Sequence, residues 1–269
     1  MKQRFFRNFL IIFLGPAILL SACSLTPIDE TSADSENDVT EVKDFINFNQ
    51  LDISSAFVVK ITQSDVYSIS VTADEDLIEL VSVTQEGDKV KIFLNPRHIF
   101  TDFTMGDKTL RAEITMPALD SLVLSGASTG TIKGFNSINN FNLVVSGASS
   151  LNGVDIVTGD AVFEISGASK VGGNLSAGNL DIEVSGASSL DLAGQARNIN
   201  LVVSGASRVD LTDMALRDGD VTLSGASEAT LNVSGELDIE LSGASRLFFY
   251  GNPVMGEAKV SGASTIKHK

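Results

Sequence analysis

Three kinds of residue in this 269-residue chain have types and spacing that could do chemistry. The first is a single thiol, Cys23. The second is serine. Ser-Gly-Ala-Ser begins at Ser125, Ser146, Ser166, Ser185, Ser204, Ser224, Ser242 and Ser261, in steps of 21, 20, 19, 19, 20, 18 and 19 residues. Hydroxyls repeated this regularly could be nucleophiles, if a base stood beside them, or a recognition surface, if they faced solvent. The third is a set of carboxylates at matching places in neighbouring repeats, Asp191 with Asp210 and Glu164 with Glu183. Carboxylates brought together in a groove perform general acid–base cleavage of polysaccharides, or bind a cation.

Each possibility has a simpler counterpart. No basic residue stands at one spacing from the serines in every copy, so they read as stacking residues. The carboxylates fall on outward positions, where solvated charge is the ordinary outcome. Arg208, Arg246, Lys170 and Glu228 share one repeat position and form a mixed stripe suited to solubility. His98 and His268 are the only histidines, with no His/Cys ligand spacing, so no metal site and no cofactor is expected. Trp is absent and Tyr67 and Tyr250 are the only tyrosines, which leaves few aromatic platforms for a sugar. Phe248, Phe249 and Tyr250 form the one aromatic cluster in the repeats. Parity places Phe249 inside, with Phe248 and Tyr250 either making a small patch or packing under a loop.

The flanks of the tetrapeptide show what must position these groups. Leu124, Val145, Ile165, Val184, Val203, Leu223, Leu241 and Val260 stand just before it. Two residues earlier stand Leu122, Leu143, Phe163, Ile182, Leu201, Val221, Ile239 and Ala258. Apolar residues at period two mean strands with one buried face. A repeat of about 19–20 residues carrying two or three short strands predicts an all-β, single-stranded, right-handed parallel β-helix, a solenoid in which each coil stacks on its neighbours. Eight coils at the strand spacing would make a rod about 38 Å long. A strand running straight through the tetrapeptide would be too long for such a coil. A bend is therefore expected at Gly126, Gly147, Gly167, Gly186, Gly205, Gly225, Gly243 and Gly262, where the missing Cβ relieves crowding between stacked backbones.

Taken in order, residues 1–22 read as a lipoprotein signal peptide. Lys2, Arg4 and Arg7 precede the apolar run from Phe9 to Leu20, which is too short for a stable membrane span. Leu20-Ser21-Ala22-Cys23 resembles a bacterial lipobox, so Cys23 is the expected lipidation site and the route to the membrane. Loss of those three cations takes the net charge from −15 to about −18, which argues against nucleic acid as a partner. Residues 23–44 read as the lipidated Cys and a flexible acidic tether. Residues 45–118 read as irregular β coils that cap the solenoid, with a short helical turn within 72–80 and a turn at Glu86-Gly87-Asp88-Lys89. Residues 119–269 are the regular coils. No apolar cap follows the last one. Terminal lysines would blunt its open edge, or another copy would cover it end to end or edge to edge.

Leu51-Asp52-Ile53-Ser54-Ser55-Ala56-Phe57, Val59-Lys60-Ile61-Thr62-Gln63 and Thr72-Ala73-Asp74-Glu75, followed by repeated Val-Ser-Gly-Ala-Ser, resemble the family described as putative auto-transporter adhesin, head GIN domain, over roughly residues 46–264. That resemblance implies a right-handed parallel β-helix on an exported bacterial protein, often a lipoprotein. It carries over no catalytic or binding residue. The expectation is an envelope lipoprotein that is not an enzyme and binds a protein or glycan. The alternatives are a carbohydrate-active lyase or hydrolase, a hydroxyl-array recognition surface, and a purely structural envelope protein.

Overall fold

The computed structural model describes residues 37–95 and 108–269; the leader, Cys23, and the loop carrying His98 lie outside them. Within the described residues the chain is a parallel β-helix of about seven turns.

Chain order begins with β1 (Asp38–Lys43), β2 (Gln50–Ile53), β3 (Val58–Gln63) and β4 (Ser68–Asp74). A single helical turn, α1 (Glu75–Ile78), follows, and then β5 (Val81–Glu86), β6 (Lys89–Leu94) and β7 (Leu110–Met116). The coils then run through β8 (Ser121–Leu124), β9 (Thr129–Lys133), β10 (Phe135–Asn136), β11 (Phe141–Val145), β12 (Ser150–Val157) and β13 (Ala161–Ile165). Next come β14 (Lys170–Ser176), β15 (Asn179–Val184), β16 (Ser189–Val203), β17 (Arg208–Leu223) and β18 (Glu228–Val233). The chain closes with β19 (Glu236–Leu241), β20 (Arg246–Tyr250), β21 (Val254–Val260) and β22 (Thr265–His268).

Each coil has three sides. The first holds the strand before Ser-Gly-Ala-Ser, and stacks β2, β8, β11, β13, β15, the end of β16, the end of β17, β19 and β21 in parallel. The second holds the strand after it, stacking β3, β9, β12, β14, β16, β17, β18, β20 and β22. A bulge then turns the chain onto a short third side, as between Asn152 and Val154. Period-two alternation sends the two apolar rows inward. Leu122, Leu143, Phe163, Ile182, Leu201 and Val221 lie in register and are sealed from solvent, as are Leu124, Val145, Ile165, Val184, Val203 and Leu223.

The N-terminal end is built out of chain order. Strand β2 lies between β8 on one side and β6 on the other, and β3 lies between β9 and β7. The chain thus makes one coil, doubles back to cover its outer edge, and then crosses to the inner edge to begin the regular stack. Antiparallel β5 and the β4–β1 pair finish this end. Residues 38–43 correct the expectation of a flexible tether through residue 44, because they form β1 along β4. The low apolar content of β1 made it look unable to order itself, but its backbone pairs with an existing edge strand and needs little core of its own. Asp74 caps α1, its side chain accepting from the Asp76 backbone N–H.

Candidate functional site

The Ser-Gly-Ala-Ser corners form one column on the rod. Gly and Ala occupy the exposed turn, and the second Ser turns inward. Ser128, Ser149, Ser169, Ser188, Ser207, Ser227 and Ser245 are all buried, from 0% to 2% exposed. This overturns the hydroxyl-array alternative, which requires those oxygens in water. Their role is local. The hydroxyls of Ser128, Ser169, Ser227 and Ser245 donate to the carbonyl of the first Ser of the same copy, at 2.6–2.9 Å, and hold the corner closed. Alanine at Ser169 is therefore expected to cost about 1 kcal/mol. The buried Ser149 hydroxyl has no protein partner, so Ser149→Ala should be neutral or stabilising in chemical denaturation. Equal losses at the two positions would contradict this assignment.

The glycines follow from two constraints at once. At Gly186, φ is +77°, a conformation side chains disfavour. A Cβ there would also run into the carbonyl oxygen of Gly167 one coil earlier. That carbonyl accepts from the Ala187 N–H at 2.8 Å, and the bond repeats up the column.

One Gly-x-Ser-x-Gly match exists, Gly126-Ala127-Ser128-Thr129-Gly130. Its Ser128 is buried at a strand–turn–strand corner and bonded to the Ser125 carbonyl, so it lacks the exposed hydroxyl of a nucleophile elbow.

The paired carboxylates are in register on outward positions. Asp191 faces Asp210 on the second side, and Glu164 faces Glu183 on the first. Asp210 is engaged locally by the Thr212 backbone N–H and hydroxyl. On the mixed stripe, the guanidinium of Arg208 meets Glu228 at 2.5 Å and that of Arg246 meets it at 3.8 Å. Among the described residues no group of three or more His, Cys, Asp or Glu is arranged to hold a metal ion. Phe249 is inside and stacks on His268 at 4.9 Å. The Lys269 ammonium lies 4.2 Å from the centre of the Phe248 ring and 5.8 Å from that of Tyr250, so the chain's last residues overlie the aromatic cluster.

A second column escapes sequence reading. At the corner between the third and first sides, the Asn140 side chain accepts from the Asp160 N–H, and Asp160 accepts from the Asn179 N–H at 2.8 Å. Asn198 then donates to Asn179, and Asp218 accepts from the Glu236 N–H. The signal was the recurrence of Asn or Asp every 18–20 residues. Part of the chain's acidity is thus structural, closing turns between coils. Arg217 beside Asp218, helped by the Glu236 N–H, holds its carboxyl below the usual aspartate range.

The first side's outer face carries rows of acid, part of it engaged between coils: Asp181 accepts from the Asn200 side chain at 2.9 Å and Asp238 from the Glu257 N–H at 2.6 Å. Asp181, Asn200, Asp220 and Asp238 form one row in register, with Glu164, Glu183 and Glu240 in the row beside it. Shallow, open depressions lie along this face, one lined by Asp160, Asn179, Asp181, Asn198 and Asn200 and another by Asp220, Asp238, Glu240, Glu257 and Lys259.

No curated protein matches the chain. Solved structures do. A "putative lipid binding protein" from Parabacteroides distasonis superposes with a TM-score of 0.78 at 15% identity, covering 87% of this chain and 97% of its own. A "putative adhesin" from Parabacteroides merdae gives 0.79 at 14% identity, covering 87% and 97%. A "putative adhesin" from Bacteroides fragilis gives 0.65 at 18%, covering 87% and 98%. At these identities the likeness is one of fold. The sequence itself matches the family model over residues 47–253, and the chain belongs to the family described as putative auto-transporter adhesin, head GIN domain.

Proposed function

We propose that the chain is a non-catalytic, adhesion-like binding module of the bacterial envelope, anchored by lipid on Cys23, that holds a protein or glycan against a flat face of a rigid rod. Membership of an adhesin family supports the cell surface or envelope as its place and adhesion as its general role. The observation that carries the reading is the form of the outer faces. Stacked parallel strands on an apolar core present long rows of side chains in fixed register, such as Asp181, Asn200, Asp220 and Asp238. Rows of that kind suit an extended contact in which many modest interactions add. Lipid on Cys23 would hold the rod at a membrane through one acyl-modified residue, leaving the faces free.

The test is a binding screen of the unlipidated Cys23→Ser chain against glycans and envelope proteins, with turnover assays on acidic polysaccharides alongside. Saturable binding without turnover is the expected result. Turnover that disappears in Asp191→Asn or Asp210→Asn would make the protein an enzyme and sink the proposal. Globomycin-sensitive processing at Cys23, with acyl chains detected by mass spectrometry, tests the anchor separately.

A further inference from the structure

The two ends of the rod differ. At the N-terminal end, antiparallel β1, β4 and β5 cover the first coil. At the other end β21 pairs with β19 on one edge, and among the described residues no strand pairs with its second edge. All seven residues of β21 are exposed. Val260 is 49% exposed and Met255 44%, whereas Leu241 and Leu237, which precede them in register, are 1% and 0%. Across a register shift between Leu237 and Ile239, which gives β21 one residue more than β19, the inward pattern that buries the earlier coils continues into β21, whose inward residues are exposed.

The charges of β21 say what fits there. Glu257 and Lys259 flank Ala258, and their side chains meet at 3.0 Å. Glu240 pairs in register with Lys259 on the outward face, while Ile239 and Leu241 pair with Ala258 and Val260 on the inward one. If β21 met its own copy antiparallel with Ala258 opposite Ala258, Glu257 would face the partner's Lys259, and two-fold symmetry would repeat the pair. A register centred on Glu257 or on Lys259 places like charges opposite each other. The strand is thus self-complementary in one register. A two-fold axis along the sheet normal at Ala258 keeps interior facing interior, so the last coil of each copy covers the other.

We propose that the C-terminal coil docks a second copy of this chain, tail to tail, through antiparallel pairing of β21 about Ala258. The open edge, the exposed apolar inward residues and the Glu257/Lys259 complementarity carry it together. It stands apart from the proposed function, since the outer faces remain free in such a dimer.

Sedimentation velocity on the purified Cys23→Ser chain should show a discrete dimer. Lys259→Glu replaces two attractions by two repulsions and should weaken it on the order of tenfold to a hundredfold. The charge-swapped double variant Glu257→Lys/Lys259→Glu should restore it. Ala258→Cys in the same background should form an intermolecular disulfide on mild oxidation, and Glu257→Cys alone should form far less. A monomer at every concentration overturns the proposal. So do open-ended filaments, which indicate head-to-tail stacking, and a dimer indifferent to both the single and the double exchange.

Discussion

Gly186→Val should lower the free energy of unfolding by about 2–5 kcal/mol, read from chemical denaturation of the variant and the parent chain. Two costs combine. A β-branched residue at a φ of +77° takes on a left-handed conformation, costing about 1–2 kcal/mol. Its Cβ must also displace the Gly167 carbonyl, an overpacking cost of about 1–3 kcal/mol. The displaced carbonyl is the acceptor for Ala187, so the variant also weakens a bond between coils. Because each coil touches mainly its neighbours, amide exchange should accelerate first near Gly186 and spread along the rod. A loss below about 1 kcal/mol would show that the corner can shift, and the two-constraint account of the glycines would fail.

Phe57→Ser should cost about 3–5 kcal/mol, although it moves the chain towards its own consensus. Strand β2 aligns with β8 so that Ile53 pairs with Leu124. Ser54-Ser55-Ala56-Phe57 is therefore a degenerate copy of the tetrapeptide, with Phe57 in the place of the buried second Ser. Phe57 is fully buried in the hydrophobic core, and removing its ring leaves a large void. At the same corner Ser55 takes the glycine position with a φ of +74°. Ser55→Gly relieves that conformation at some entropic cost and should stabilise by up to about 1 kcal/mol. Thermal and chemical unfolding of the two variants should move in opposite directions. Consensus changes that both stabilise would mean that Phe57 does not fill the first coil.

This degenerate corner shows where sequence reading stopped. The eight full copies were legible because each repeats the same local demands: two inward apolar residues, then a glycine with a left-handed turn. Ser54 to Phe57 keep the geometry without the letters, and lie 71 residues before Ser125 rather than about 20, so no period exposed them. β1 escaped for a related reason. Its pairing with β4 is a backbone event, and backbone pairing leaves no mark in side-chain composition. The Asn/Asp column was visible as a spacing but had no meaning until the coils were stacked and each side chain met the N–H of the next turn.

The sequence by itself determined the β-helix, its coil length, its inward rows, the corner glycines and the family, because a repeat restates its local rules in every coil and the agreement among copies removes ambiguity. Tertiary structure alone decided which way each serine points, how the first coil is enclosed by strands that follow it in the chain, and that among the described residues no strand pairs with the outer edge of β21. Those outcomes depend on contacts between coils and at the ends of the stack. There, neighbours brought together by the fold set burial and pairing, and no residue carries that information within its own repeat.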